Sequence, residues 1–171
     1  GLNVSSGGLA SASTVRNGGS LNVSDGGSAS ASTVDNGGIL NVSGGGLASA
    51  TVVNEGGVII VSSGGESYFT QIYSGGEERI LSGGYGPNAT IYNGGLQTIA
   101  AGGVDSESTI LAGGTQVVGG VASAALISGT QTILSGGTGI DGIVDSGGLV
   151  SAGSGSTLLG YKMVGDSASI V

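Results

Sequence analysis

Small apolar residues return along this chain at a constant interval of about 19 residues, in two separate series. The two series are Val15, Val34, Val53, Ile72, Ile91, Ile110 and Val4, Val23, Val42, Val61, Ile80, Ile99, Val118. Each member is flanked by small polar residues, as in Ser13–Val15 and Leu21–Val23. Short runs that alternate β-branched and polar residues predict β-strands. A period of this size predicts a solenoid, in which equivalent residues stack from coil to coil.

Pairs of glycines punctuate the same repeat. Gly7-Gly8 recurs as Gly26-Gly27, and a second pair at Gly18 lies between them, so that the pairs alternate at steps of 11 and 8 residues. The chain contains 40 glycines. Misplaced in strands at about 0.5–1 kcal/mol each, they would cost about 20–40 kcal/mol, more than the whole net stability of a domain. We therefore expect the glycines at corners, where a positive φ or a close backbone approach requires them.

The fold class follows from this repeat. No window carries an apolar i, i+3, i+4, i+7 stripe free of glycine, so helix is disfavoured. At about 3.3 Å per residue, one repeat forms a loop of about 60 Å, the size of one coil. We predict an all-β, right-handed parallel β-helix with coils of about 19 residues, forming a single segment over residues 1–171.

The repeat is regular over residues 1–118 and degenerate over residues 119–171. The step from the glycine pair at Gly102 to the pair at Gly119 is shorter than the regular repeat, while the apolar series continues. This pattern predicts coils that are shortened at their corners. Because the sequence opens and closes within a repeat unit, and solenoids need end coils with a polar outer face, we expect it to be a fragment of a longer array.

Charge and composition limit the partners and the chemistry. The formal net charge is −8, and the only basic residues are Arg16, Arg79 and Lys162, whereas nucleic-acid binding needs a basic stripe. No apolar run approaches the length of about 18 residues that a membrane-spanning helix needs, so we expect no membrane insertion by this segment. The chain has no Cys and no His, which excludes thiol sites and His-dependent triads. The lack of cysteine suits an exported bacterial protein that folds without disulfides.

One stretch matches a calcium-binding pattern. Residues Gly136–Ile143 fit the nonapeptide repeat of calcium-binding β-helices. Such loops work in tandem, because each calcium takes six to eight oxygens from successive turns, and here the pattern occurs once. We therefore expect no metal site, and no cofactor.

Carboxylates alone could still serve glycoside cleavage, which needs two of them about 5–9.5 Å apart. Glu77 and Glu78 are adjacent and should lie on opposite strand faces. Asp105 and Glu107 should share a face, but they have no basic neighbour. We therefore expect scattered, solvated acids that keep the rod soluble, no catalytic residue and no enzymatic activity. A carbohydrate-binding or polysaccharide-degrading β-helix protein remains the alternative.

Aromatic residues are concentrated in the middle of the chain. Five of the six fall between positions 68 and 92. They form either a lateral contact patch, since aromatic side chains anchor interfaces, or stacks on the outer face of less regular coils.

Serines recur at fixed positions of the repeat and should form exposed hydroxyl rows along the rod. Such rows suit O-glycosylation, and they equally suit a plain polar surface. The eight candidate serines in matching positions are Ser5, Ser11, Ser13, Ser24, Ser30, Ser32, Ser43 and Ser62.

The repeat unit itself resembles a known family. Ser24–Ser43 has Gly-Gly after its first serine, Thr-Val before a second Gly-Gly, and Val-Ser at its end. In this it resembles the 19-residue repeats of the self-associating autotransporter adhesins, the family of the diffuse-adherence adhesin and its enterotoxigenic relative. The resemblance is close over residues 1–118 and looser beyond. It implies a passenger β-helix, exported through the outer membrane of a Gram-negative bacterium and displayed on the cell surface.

The same resemblance implies function and partners. Members of this family promote autoaggregation, biofilm formation and host-cell adhesion, so the expected partners are the protein itself on neighbouring cells and the host-cell surface. It also implies that passenger serines receive heptose from a dedicated cytoplasmic glycosyltransferase before export. The eight candidate serines are the expected acceptors.

Overall fold

The computed structural model describes all 171 residues and consists of strands and turns without any helix. No helix is therefore long and apolar enough to cross a membrane. In chain order the strands are β1 (Leu2–Val4), β2 (Leu9–Ser11), β3 (Thr14–Val15), β4 (Ser20–Val23), β5 (Ser28–Ser30), β6 (Thr33–Val34), β7 (Ile39–Val42), β8 (Leu47–Ser49), β9 (Val52–Val53), β10 (Val58–Val61), β11 (Glu66–Tyr68), β12 (Gln71–Ile72), β13 (Glu77–Ile80), β14 (Thr90–Ile91), β15 (Leu96–Ile99), β16 (Val104–Ser106), β17 (Thr109–Ile110), β18 (Thr115–Val118), β19 (Val121–Ser123), β20 (Leu126–Ile127), β21 (Thr130–Ile133), β22 (Thr138–Ile140), β23 (Ile143–Val144), β24 (Leu149–Ala152), β25 (Thr157–Leu159), β26 (Lys162–Met163) and β27 (Ser169–Ile170).

These strands wind through three parallel sheets, which we call A, B and C. Sheet A contains ten strands in the order β1-β4-β7-β10-β13-β15-β18-β21-β24-β27, and sheet C contains nine, from β3 to β26. Sheet B has two four-stranded parts, β2-β5-β8-β11 and β16-β19-β22-β25, joined through single bridges to Tyr85. A full coil contributes one strand to each sheet, and the coil of Tyr85 contributes only this bridging residue to sheet B. The predicted parallel β-helix, with one coil for each repeat unit, is confirmed.

The two apolar series fill the axis of the coils, as predicted. Every member is buried, and only Val4 and Val15 in the first coil retain as much as 7% exposure. Equivalent residues face each other across paired strands, as Val15 does with Val34 and Val34 with Val53. Burying a side chain of this size contributes about 1.5–3 kcal/mol, so this stacked column is the main source of stability.

Glycine pairs turn two of the three corners, and the two members of a pair do so for different reasons. Gly37 has φ of 72°, a left-handed conformation that side chains rarely adopt. Gly38 has no such conformation, but a Cβ there would overlap the carbonyl oxygen of Val15 in the coil before. The third corner, between sheets B and C, contains no glycine pair. A non-glycine residue such as Ala31, with φ of 51°, turns it instead.

Two corners in the degenerate part of the chain are shortened, as the closer glycine spacing predicted. Two residues connect β18 to β19, where four connect β15 to β16. The corner after β20 is also two residues long. The strands therefore keep their stacking while the turns between them lose residues.

Candidate functional site

One serine row runs along the outer face of sheet B. Ser11, Ser30 and Ser49 are in register across β2, β5 and β8, and neighbouring strands lie about 4.8 Å apart. Ser11 is exposed, and the other two are partly exposed. Their hydroxyls therefore form a closely spaced line that solvent can reach.

A second row lies at the corner from sheet A to sheet B. Each member directly follows an inward valine of the second apolar series, and each is exposed or partly exposed. Ser24 Oγ also donates a hydrogen bond to Asp25 Oδ2 at 3.3 Å. The two rows together contain six of the eight candidate serines, which we call the surface serines and which are all exposed or partly exposed: Ser5, Ser11, Ser24, Ser30, Ser43 and Ser62.

The expectation of an exposed hydroxyl is wrong for Ser32. Its side chain is 0% exposed, and its Oγ has no hydrogen-bond partner. The reason is the left-handed Ala31 between Ser30 and Ser32, which turns the corner and sends the following side chain inward. Ser13 occupies the equivalent position in the first coil and remains partly exposed.

The aromatic residues form two groups on different faces. Tyr73 and Tyr92 lie on the outer side of sheet C, with ring centroids 4.4 Å apart and planes at 7°. Tyr68 meets Tyr85 edge to face at 6.2 Å on sheet B. Phe69, beside Tyr68, is 58% exposed. Aromatic stacking between successive coils is therefore present, and it does not form one continuous patch.

Adjacent acids divide between the outside and the inside of the rod. Glu77 points outward and makes an ion pair with Arg79 at 2.6 Å, whereas Glu78 is fully buried, as predicted for opposite strand faces. The prediction that Asp105 and Glu107 share a face is wrong. Asp105 is fully buried, while Glu107 is exposed at the corner with φ of 60°.

Two carboxyl groups are bridged inside the rod, so the prediction that the acids are scattered and solvated is wrong for Glu78 and Asp105. Gln97 Nε2 donates to Glu78 Oε2 at 2.9 Å and to Asp105 Oδ1 at 3.0 Å. Burial raises the pKa of Asp105 to about 7 and also raises the pKa of Glu78. The sequence contained one signal for the burial of Glu78, because Glu78 follows the inward Ile59 by one repeat unit.

This carboxyl pair is inaccessible to a polysaccharide. Both side chains are 0% exposed, whereas glycoside cleavage needs both carboxyls in contact with the substrate. The one cavity, of about 260 Å³, lies at the end of the rod near Leu2 and Arg16, and none of its nine lining residues is acidic. The acids of the chain also form no group of three or more that could hold a metal ion.

Comparison with known proteins finds a matching family model and a similar solved structure. A family model described as "AIDA: Adhesin of bacterial autotransporter system, probable stalk" matches residues 4–57. No curated protein sequence matched the chain. Among solved structures, the crystal structure of a TibC-catalysed hyper-glycosylated TibA55-350 fragment is similar, with a TM-score of 0.86 and 31% sequence identity. The match covers 98% of this chain and 72% of that one.

Sequence and structure agree in this assignment. The family model covers the most regular repeats, and the structural match extends through the shortened coils. The chain therefore belongs to the family of bacterial autotransporter adhesins, as a passenger segment built from their β-helical repeats.

Proposed function

We propose that this segment is a non-enzymatic adhesive stalk that is displayed on the surface of a Gram-negative bacterium. In this role it mediates self-association between neighbouring cells, biofilm formation and adhesion to host cells. The observation that carries the proposal is the 31% identity to the TibA fragment over almost the whole chain. The structure of the rod also supports the proposal, because apolar side chains fill its interior while the serine rows face outward, where they are accessible to other molecules.

The six surface serines are the proposed sites of O-linked heptose, added by a dedicated glycosyltransferase. The TibA fragment is hyper-glycosylated in a reaction catalysed by TibC, and these serines repeat along two accessible rows of this rod. Ser32 is left out, because a sugar on its buried hydroxyl has no room in the folded coil. Ser13 occupies the position equivalent to Ser32 in the first coil, outside the two rows, and is left out for that reason although it is partly exposed.

Adhesion by such a surface arises from many weak contacts. Each row repeats its hydroxyls once per coil, so two rods that lie side by side present the same polar groups many times. Individually weak hydrogen bonds that form together give an avidity far above that of any single contact. Attached sugars would widen this surface and add further hydroxyls to it.

Mass spectrometry tests the glycosylation. The segment is co-expressed with TibC, digested and mapped for heptose on each serine. We expect a sugar on the surface rows, its loss at the changed positions in Ser11→Ala/Ser30→Ala, and an unchanged pattern in Ser32→Ala. Sugar on Ser32 in the folded product, or bare surface rows, would contradict the assignment.

Settling of cells tests the adhesive role separately. Bacteria that display the segment should settle faster than bacteria without it, and those displaying a variant with all six surface serines changed to alanine should settle at a different rate. Equal settling with and without the segment would reject self-association, whatever its glycosylation.

A further inference from the structure

The interior of the rod changes from apolar to polar in its middle coils. The apolar core consists of two clusters, one ending at Val61 and the next beginning at Ile72. Buried polar side chains enter the axis between the two clusters, at Ser67 and Thr70, and alongside the second one. On the inner side of sheet A, successive coils contribute Leu21, Leu40, Ile59, Glu78, Gln97, Gln116 and Gln131, all fully buried or 1% exposed.

The three glutamines form a ladder with one direction. Gln131 Nε2 donates to Gln116 Oε1, and Gln116 Nε2 donates to Gln97 Oε1, each at 2.6 Å. Gln97 Nε2 then donates to Glu78 Oε2 at 2.9 Å. Tyr161 closes the far end by donating its hydroxyl to Gln131 Oε1. Every amide therefore points its donor end towards the carboxyl groups, and hydrogen bonds aligned in this way polarise one another.

Neutral donors alone surround the two carboxyl groups. Glu78 accepts hydrogen bonds from Ser67, Thr70 and Gln97, at 2.7, 3.1 and 2.9 Å. Asp105 accepts from Gln97, Ser108 and Gln116, at 3.0, 2.7 and 2.9 Å. Six neutral hydrogen bonds solvate the oxygens, but they bring no positive charge into the axis.

No cation faces the pair from any neighbouring element. The inward residues of sheet A beside it are Ile59 and glutamines, those of sheet B and its corner are alanine and hydroxyl residues, and those of sheet C are isoleucines. Arg79, the nearest basic residue in sequence, points outward and pairs with Glu77. The titratable groups that face this interior are Glu78 and Asp105 themselves, with Tyr161 at the far end of the ladder.

We propose that Glu78 and Asp105 hold a proton between them and thereby make the central coils a pH-sensitive segment of the rod, closed in acid and loosened towards neutral pH. Two carboxylates that share one amide in a buried interior repel each other, and burial without a cation is costly for each of them. Binding one proton removes the repulsion and half of the buried charge.

The sign of the pH dependence follows from burial. Burial raises the pKa of Asp105 from 3.8 to about 7, and it raises the pKa of Glu78 as well. Over this window the folded segment keeps a proton that the opened chain has already released. The contribution of this proton to the stability of the segment is therefore fully present below pH 4 and is lost as the pH rises to about 7. For Asp105 alone, the opening equilibrium should increase by up to about a thousandfold across this window.

Native-state hydrogen exchange on the intact chain measures this opening coil by coil. After correction for the intrinsic exchange rate, we expect protection of the amides between residues 78 and 116 to fall by at least about tenfold from pH 5 to pH 7. The amides of the first apolar cluster, such as those of Val34 and Val53, provide the internal control. Their protection should change little, because no carboxyl group lies inside those coils.

Neutral variants separate the carboxyl pair from other pH effects. Glu78→Gln fits the site, because its oxygen can accept from Gln97 while its amide donates to the hydroxyls of Ser67 and Thr70. The double variant Glu78→Gln/Asp105→Asn should lose the pH dependence of the central amides. Glu107→Gln, an exposed acid two residues from Asp105, is the matched control and should keep it.

Two results would overturn the proposal. One is central protection that stays constant from pH 4 to pH 8 in the unmodified chain, and the other is a pH dependence that persists in the double variant. If the double variant does not fold, the carboxyl ¹³C shifts of Glu78 and Asp105 in the unmodified chain decide. Titration of both carboxyls near pH 4, like those of exposed acids, would rule out a retained proton.

Discussion

Thr51 and Thr70 occupy the same inward position in successive coils, but only Thr70 has a partner. Thr70 Oγ1 donates a hydrogen bond to Glu78 Oε1 at 3.1 Å, whereas Thr51 Oγ1 is buried with no partner. Both side chains are at most 1% exposed. The two hydroxyls differ because the coil of Thr70 has Glu78 at the inward position where the coil of Thr51 has Ile59.

Replacing each threonine by the isosteric valine should have opposite effects. Thr51→Val removes an unpaired buried hydroxyl and should leave the free energy of unfolding unchanged or raise it by up to about 1 kcal/mol. Thr70→Val removes a donor to a buried carboxyl and should lower it by about 1–3 kcal/mol. Urea unfolding of both variants at one pH measures the difference, and equal effects would show that the hydroxyl environment does not matter.

A charged side chain in the stacked apolar column that contains Val34 should strongly destabilise the protein. Val34→Asp places a carboxylate among side chains that are 0% exposed, with no cation nearby, and should lower the free energy of unfolding by more than about 4 kcal/mol. Thr33→Asp puts the same group one residue away on the outer face of β6 and should cost less than about 1 kcal/mol. Ser32→Ala, which removes another unpaired hydroxyl, should remain folded. Circular dichroism during thermal melting distinguishes these outcomes.

The sequence predicted the column that contains Val34 because a constant period converts linear spacing into stacking. The same arithmetic aligns Glu78 with Ile59, yet an acid in that position conflicts with the usual exposure of glutamate. The ladder that satisfies it comes from glutamines in later coils, so no single repeat contains the explanation. For this reason the carboxyl pair became visible only in three dimensions.

Ser32 shows a different limit of sequence reasoning. Strict alternation would place Ser30 and Ser32 on the same face, and the neighbouring Ala31 carries no local signal for a left-handed corner. Glycine marks the other two corners, so their positions could be predicted. At the third corner an alanine such as Ala31 adopts the left-handed conformation, and a pattern based on residue type does not detect it.

Glycines that touch the preceding coil should not accept a side chain. Gly38→Ala would press its Cβ against the carbonyl oxygen of Val15, and we expect a loss of about 1–3 kcal/mol or more. Gly119→Ala is the matched control, because its nearest neighbour would be the Ile99 carbonyl oxygen at 3.4 Å and its φ is not positive. It should cost less than about 1 kcal/mol. Denaturant midpoints compare the two, and a reversed order would contradict the role of close backbone approach.

Tyr161 should make the far end of the ladder sensitive to alkali. Its ring lies against Gly139 and Gly142, where any Cβ would overlap it, and its hydroxyl donates to Gln131 Oε1. Burial raises the pKa of Tyr161 from 10.0 to about 12. The folded chain therefore keeps a proton that the unfolded chain releases, and this contribution to stability is present below pH 10 and lost as the pH rises towards 12.

Phenylalanine at this position separates the two effects of the hydroxyl. At pH 8, Tyr161→Phe should lower the free energy of unfolding by about 1–3 kcal/mol, because Gln131 Oε1 loses its donor inside the rod. Between pH 10 and pH 12 the variant should lose less additional stability than the unmodified chain. Tyr85→Phe, on the outer side of sheet B, should keep the original alkaline slope. Urea unfolding at several alkaline pH values measures these slopes, and a Tyr161→Phe slope equal to that of the unmodified chain would mean that the buried phenol does not retain its proton.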